Sequence, residues 1–253
     1  MFFRLGIIMI LIGQLCSVAI AADDLEVALH ELRLQVLSRE RPLSDAVDAY
    51  EALTEDFHAP EEVGRIYAAL VEIYATHGDS QPEKTIEFAK EALARPLEPL
   101  SRMQTCVRLG DGMRRQSHQN EKGGPLPSRT EVATPYLQGL RVAVEQDLPD
   151  QLEDIPRPSG LRGGGSLYEK RREENERRMQ AWKARKKKEA MMEVRETLER
   201  QLLSLYSDTP EDIKELRSLA EKYLIESPAV DKLIVKERTK AYDRPPLAVR
   251  SGN

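Results

Sequence analysis

The chain has 253 residues, of which 32% are charged and only 5% are aromatic, and its formal net charge is −5. This mild acidity argues against wholesale binding to nucleic acid, whose phosphates attract strongly basic proteins. A composition rich in charge and poor in aromatic rings is typical of helical proteins whose cores consist of Leu, Ala and Val.

Residues 1–21 have the features of an export signal. A single positive charge, Arg4, precedes an uncharged and mostly apolar run, and this run closes with Ala19-Ile20-Ala21, the small-x-small pattern that signal peptidase accepts. We expect a signal peptide that is cleaved after Ala21, and a mature chain that is periplasmic or extracellular. An uncleaved signal would instead tether the chain to a membrane, and the sequence leaves this alternative open.

Apolar residues recur at the helical spacing of three and four from residue 24 to residue 149, whereas no stretch alternates with the period of two that a strand requires. The expected fold is therefore all-α. Prolines, glycines and N-capping side chains divide this stretch into six helices, which begin near Leu25, Ser44, Pro60, Pro82, Leu100 and Thr134-Pro135. Residues 116–129 have two glycines, two prolines and no apolar period, so they are predicted to form a mobile loop.

Large and small side chains follow a specific order in the third and fourth predicted helices. The residues are Tyr67, Leu70 and Tyr74, a glycine turn at Gly78, the small-then-large pair Ala92-Leu93, and Pro96. With this order the segment resembles a tetratricopeptide repeat, a helix-turn-helix unit of about 34 residues that stacks into a solenoid. The resemblance implies a concave groove, lined by the first helix of each pair, that holds peptides or partner helices. It implies no catalysis.

Weaker similarity flanks this repeat on both sides. The first two helices resemble a partial copy around Ala46 and Tyr50, and a later copy with an inserted loop would use Cys106 in its first helix and Ala143-Val144 in its second. We therefore expect a tetratricopeptide-like helical domain over residues 24–149. A helical bundle would place Tyr, Leu and Ala at the same spacings, so the residues leave solenoid and bundle open.

The remaining sequence predicts a second helical domain behind a linker. A long charged helix from about Leu167 to Tyr206 precedes a helical hairpin, whose first helix has Thr209 as N-cap and whose second follows Ser227-Pro228. The predicted organisation is a signal peptide at 1–21, a tetratricopeptide-like domain at 24–149, a Pro/Gly-rich linker at 150–166, the charged helix plus hairpin at 167–240, and a disordered tail at 241–253.

The first half of the long helix carries a basic run over residues 170–188. Such a surface favours contact with an anionic partner: a phospholipid leaflet, an envelope polymer or an acidic protein. The candidate contact residues are Arg171, Arg178, Lys183, Arg185, Lys186, Lys187 and Lys188. A solvated helix explains the same residues without a partner, through ion pairs at a spacing of four such as Glu173 with Arg177 and Glu174 with Arg178.

The sequence contains no recognisable pattern for metal binding, cofactor binding or catalysis. His30, His58, His77 and His118 fall in different helices or turns, with no HxxxH, HExxH or CxxC spacing, and there is no GxSxG motif. Cys106 lies on an apolar helical stripe and is expected in the core. It is the only cysteine after the signal, so no internal disulfide is expected in the mature chain. We expect no catalytic residues, no metal site and no cofactor.

These features favour an exported, non-enzymatic helical-repeat protein that acts as an interaction or scaffold module in a bacterial cell envelope. Its expected partner is a protein or peptide and not a nucleic acid, with a membrane contact only if the signal is uncleaved. The charged helix would serve as a spacer or a contact arm. The alternative is an accessory domain or an enzyme that acts on envelope polymers.

Overall fold

A computed structural model describes residues 24–38, 42–76, 81–119, 126–149, 152, 167–206 and 209–223. The predicted signal peptide, most of the predicted linker, the helix expected after Ser227-Pro228 and the predicted tail lie outside these described residues. The turn expected at His77-Gly78 lies outside them as well.

The described residues form eight helices and no strand, which confirms the expected all-α fold. The first helix, α1, covers residues 24–37. The others are α2 (Leu43–Asp56), α3 (Pro60–Thr76), α4 (Pro82–Leu93), α5 (Pro99–Gln119), α6 (Arg129–Glu145), α7 (Leu167–Leu203) and α8 (Pro210–Glu221). No helix within the described ranges is both long and apolar enough to cross a membrane.

The chain divides into two compact units, Met1–Pro127 and Ser128–Asn253. This division differs from the predicted domain boundary, because the prediction placed the sixth helix in the amino-terminal domain and ended that domain at residue 149. The physical reason is that α6 packs on α7, where the two helices bury apolar faces. The helices that would have made up the later repeat copy, α5 and α6, therefore belong to different units.

The core of the first unit is built by helices that are neighbours in sequence. Helix α2 packs on α3, α3 on α4 and α4 on α5, and α3 also packs on α5. Helix α1 contributes Leu25 and Val36 to the same core, where they are 0% and 4% exposed. Burying an aliphatic side chain of this size contributes roughly 1.5–3 kcal/mol, so these two residues hold α1 on the unit.

Contacts between aromatic rings hold α3 against α4. The ring of Phe88 in α4 stacks on Tyr67 at a centroid distance of 6.0 Å and lies 5.5 Å from the ring of Tyr74. The guanidinium of Arg95 lies 4.8 Å from the Tyr67 ring centre, a distance at which a cation is attracted to the ring face. Phe88 is not among the residues predicted from the sequence to face the core, although it is only 3% exposed.

The beginning of α6 differs from the prediction. The helix begins at Arg129, five residues before the predicted Thr134-Pro135 start, and Pro135 lies inside it. Ser128 and Glu131 form a capping box, in which the Ser128 side chain accepts from the Glu131 backbone N–H and the Glu131 carboxylate accepts from the Ser128 N–H at 2.7 Å. This serine-x-x-glutamate signature satisfies two exposed N–H groups and sets the true start of the helix.

Two further local expectations are corrected. Helix α5 continues to Gln119, so the first four residues of the predicted loop at 116–129 are helical. Ser44 does not cap α2: Pro42 is the N-cap residue and makes no side-chain cap, while the Ser44 hydroxyl donates to Asp45 at 3.0 Å. By contrast, the predicted cap of α8 is confirmed, because Thr209 accepts a hydrogen bond from the Asp212 N–H at 3.3 Å.

Within the second unit, Arg129 connects the beginning of α6 to the beginning of α8. Its guanidinium donates to Asp212 at 2.7 Å and to Glu215, and it lies 4.6 Å from the ring centre of Tyr206, which follows α7. The Arg129 side chain is 39% exposed, so water and salt weaken these ion pairs. The apolar contribution comes from Leu216, Leu219 and Ala220 on the buried face of α8.

Replacing Gly64 with alanine should lower the free energy of unfolding by about 1–3 kcal/mol, because an added Cβ would lie 2.8 Å from the Pro96 carbonyl oxygen. Alanine otherwise stabilises a helix by about 1 kcal/mol relative to glycine, so a loss isolates the steric contact. Gly112→Ala is the matched control. Its added Cβ would lie 3.2 Å from a side-chain atom of Ile86, which is a longer contact than the 2.8 Å contact with a backbone oxygen at position 64. Urea unfolding measures both variants; equal stability of the two would contradict this prediction.

Candidate binding groove

A groove of about 320 Å³ opens on the first unit, and its walls come from alternate helices of the chain. Helix α2 also contributes one residue, Tyr50, to the lining of the groove. Glu26, Leu29, His30, Arg33 and Leu37 line the groove from α1; Arg65, Ala68, Ala69, Glu72, Ile73 and Thr76 line it from α3; Ser101, Gln104 and Thr105 line it from α5.

Helix α3 supplies the central wall because its sequence has two different faces. Residues at a spacing of three and four, from Arg65 through Ala68 and Glu72 to Thr76, fall on one stripe that faces the groove. Ile66 and Leu70 fall on another stripe and are fully buried in the core. The small side chain of Ala68 leaves open the space that a larger residue would fill.

Ion pairs join the three walls. Arg65 on α3 pairs with Glu26 on α1, and Arg108 on α5 pairs with Glu72 on α3. The second pair is bidentate, because Nε and Nη2 of Arg108 each donate to a different carboxylate oxygen at 3.0 Å. Its hydrogen bonds to Glu72 raise the pKa of Arg108. Two-point pairing of this kind fixes orientation as well as distance, so it sets the spacing of α3 and α5.

Tyr50 supports α1 from beneath the groove. Its ring is fully buried, and its hydroxyl donates to the Leu29 carbonyl oxygen at 3.3 Å. Burial raises the pKa of Tyr50 to about 12, although the nearby positive charge of Arg33 acts in the opposite direction. The phenol is therefore neutral at ordinary pH and acts as a hydrogen-bond donor.

The charges that line the groove are not all neutralised. Both of its carboxylates, Glu26 and Glu72, are engaged by arginines. Arg33 is exposed and lines the groove, and it makes no ion pair with another described side chain. The groove therefore combines apolar surface from Leu29, Leu37 and Ile73 with a positive charge that can attract an acidic group.

The residues considered for catalysis or metal binding are not assembled into a site. Cys106 is 1% exposed, and burial raises the pKa of its thiol to about 12, so it is not a thiolate at neutral pH. His30 lines the groove, while His58 and His118 lie elsewhere in the unit and His77 is outside the described residues. Among the described side chains, no group of three or more His, Cys, Asp and Glu could hold a metal ion.

The predicted anion-contact residues share helix α7 but not one face of it. Arg178 pairs with Glu174 at 2.7 Å, as the solvated-helix alternative expects, and Lys186 pairs with Glu189 at 2.7 Å. The other predicted pair, Glu173 with Arg177, is not found among the described contacts. Lys183, Lys187 and Lys188 are exposed, Arg185 is half-buried, and Arg171 lies within the same helix.

A second cavity, of about 420 Å³, lies in the second unit beside α8. Thr130 of α6 contributes to it, and α8 supplies Glu211, Lys214, Glu215, Ser218, Leu219 and Lys222. Its lining is mostly charged and exposed.

Comparison of the chain with protein-family models, with curated proteins and with solved structures gives no match. The groove must therefore be interpreted from its own chemistry. Arg33, Arg65 and Arg108 are not among the candidate site residues predicted from the sequence. A usable signal was present in α3, where two small residues, Ala68-Ala69, are flanked by charges at Arg65 and Glu72 on the same stripe.

The stability of the wild type relative to a Tyr50→Phe variant should decrease as the pH rises from 10 to about 12. Because the folded-state pKa is raised, the buried neutral phenol contributes stability below pH 10, and this contribution is lost as the unfolded chain ionises first. At neutral pH the wild type should be more stable by about 1 kcal/mol, the contribution of one hydrogen bond. Urea unfolding of both proteins across this range measures the difference; a constant difference would contradict the assignment.

Proposed function

We propose that this chain is an exported, non-enzymatic helical-repeat protein of a bacterial cell envelope, which binds a peptide segment or helix of a partner protein. The observation that carries the proposal is the groove lined by α1, α3 and α5. Alternate helices share one concave surface, which is the arrangement that the tetratricopeptide resemblance of α3 and α4 implies. Fold analogy does not name a partner, so the chemistry of the groove has to describe it.

The lining of the groove favours a peptide that carries an acidic residue next to an apolar one. Leu29, Leu37 and Ile73 offer apolar contact, while Ser101 and Gln104 offer hydrogen-bonding groups. Arg33 offers a positive charge that no described side chain neutralises. Peptide grooves commonly combine apolar anchoring surface with a few polar groups that fix register, and this groove has both.

The ion pairs support a preformed groove. Because the buried residues Leu25 and Val36 already hold α1 on the unit and the half-buried Arg108–Glu72 pair joins α5 to α3, a partner does not have to order the walls as it binds. Preorganisation of this kind reduces the conformational entropy lost on association, so it favours measurable affinity at a small interface.

Filling the groove should weaken peptide binding without unfolding the chain. Peptides selected by display against the full chain should bind the wild type, and Ala68→Trp should weaken them at least about tenfold, a loss of about 1.4 kcal/mol, because the indole occupies the groove. Ala94→Trp is the matched control, since Ala94 is exposed at the end of α4 and lies outside the groove.

Isothermal titration calorimetry measures the affinities, and circular dichroism verifies that both tryptophan variants remain helical. Replacing the acidic residue of a bound peptide with its amide should weaken binding to the wild type but not to Arg33→Gln. Undiminished binding to Ala68→Trp would place the interaction surface elsewhere and contradict the groove.

Export is proposed from residues 1–21, whose basic, apolar and small-residue regions follow the order of a signal peptide. Expression in a bacterial host with an export pathway should yield a periplasmic or secreted protein whose mass corresponds to a chain beginning at Ala22. Intact-mass spectrometry of the fractions measures this. A chain that keeps residues 1–21 and sediments with membranes would contradict cleavage and would support the tethered alternative.

A further inference from the structure

The densest positive charge in α7 lies in residues 177–188, which we call the basic segment. It contains seven cations and no carboxylate: Arg177, Arg178, Lys183, Arg185, Lys186, Lys187 and Lys188. In a helix, twelve residues span about 18 Å, so these charges are closely spaced along the axis. The whole chain is acidic, so this segment is a local reversal of charge.

Ion pairs within α7 account for only part of this charge. The neighbouring carboxylates Glu174 and Glu189, just outside the segment, each engage one cation of it, Arg178 and Lys186. Arg177, Lys183 and Lys188 are exposed and make no ion pair with another described side chain. Like charges at neighbouring helical positions repel one another and destabilise a helix, so a bound anion would relieve repulsion here.

The distribution of these cations around α7 indicates the shape of the anion. At 100° per residue, Arg177, Arg178 and Lys183 point in directions at least about 100° apart, so the charges surround the helix. A helix that lies on a bilayer needs a broad apolar face, but the segment offers only Met179 and Trp182 as large apolar side chains, and both are half-buried. A flexible linear polymer can follow charges around a helix, whereas a flat lipid surface meets only one side.

We propose that the basic segment binds a linear polymer of phosphate groups, a polyphosphate chain. Arginine binds phosphate oxygens through paired N–H donors, and lysine adds a mobile positive charge, so the mixed composition of the segment suits this chemistry. The inference is independent of the groove, because it concerns a different helix in the other compact unit.

Long-chain inorganic polyphosphate is the probe for this proposal, and Trp182 is the reporter. Trp182 is the only tryptophan of the chain and lies inside the segment, so its fluorescence reports binding there directly. The full chain should bind polyphosphate with an affinity that falls steeply as salt is added. The test variant is Arg177→Gln/Lys183→Gln/Lys188→Gln, which removes three cations that are outside the observed ion pairs. Glutamine keeps a helix propensity close to that of lysine and arginine.

The matched control is Lys90→Gln/Arg115→Gln/Lys222→Gln, which removes the same net charge from three exposed side chains outside α7. The test variant should bind polyphosphate at least tenfold more weakly than the wild type. Its plot of log affinity against log salt concentration should be shallower by about 2, the value for three lost phosphate contacts on a flexible strand. The control variant should keep the wild-type affinity and slope.

Three results would overturn the proposal. Equal weakening in the test and control variants would show that only net charge matters. Vesicles of phosphatidylglycerol, or polyglutamate of matched charge, that bind as tightly as polyphosphate would assign the segment to a bilayer or to an acidic protein instead. An absence of any Trp182 fluorescence change on adding polyphosphate at physiological ionic strength, about 0.15 M, would show that the segment is a solvated helix that binds no polyphosphate.

Discussion

The close packing of α3 is the constraint on which the first unit depends. This helix packs on α2, α4 and α5, and it also supplies the central wall of the groove. Gly64 allows it to approach the backbone at Pro96, and Tyr67 and Tyr74 hold it against Phe88. Protein interiors are close-packed, so a small displacement of α3 would be transmitted to three helices and to the groove. The shape of the groove is therefore a consequence of the core.

Charge is used in two different ways in this chain. Around the groove, arginines are paired across helices with Glu26 and Glu72, and the bidentate Arg108–Glu72 pair sets the spacing of α3 and α5. In α7 the described pairs run along one helix and connect residues three or four positions apart, so they stabilise the helix but bring no second element to it. Ion pairs between helices shape the groove, whereas the surplus of positive charge along α7 is directed at solvent.

Helical periodicity and capping residues were sufficient to predict the all-α fold, the start of α4 at Pro82 and the Thr209 cap of α8, because each depends on residues close together in sequence. The residues that start α6, Ser128 and Glu131, are also close together in sequence. The prediction instead placed the start at Thr134-Pro135, which lies inside the helix. The Arg108–Glu72 pair joins residues 36 positions apart, and periodicity does not determine which helix a buried face will meet. The assignment of α6 to the second unit has the same origin.

The burial of Cys106 has a consequence for how this protein tolerates an oxidising environment. Thiol–disulfide exchange requires an accessible thiolate, and this sulfur is both enclosed by the core and held in its protonated form. A folded chain that has lost residues 1–21 therefore has no thiol able to cross-link with another molecule. In that shortened chain, any cysteine introduced on the surface would be the sole reactive thiol, so spectroscopic labels could be attached at one chosen position without removing a native residue.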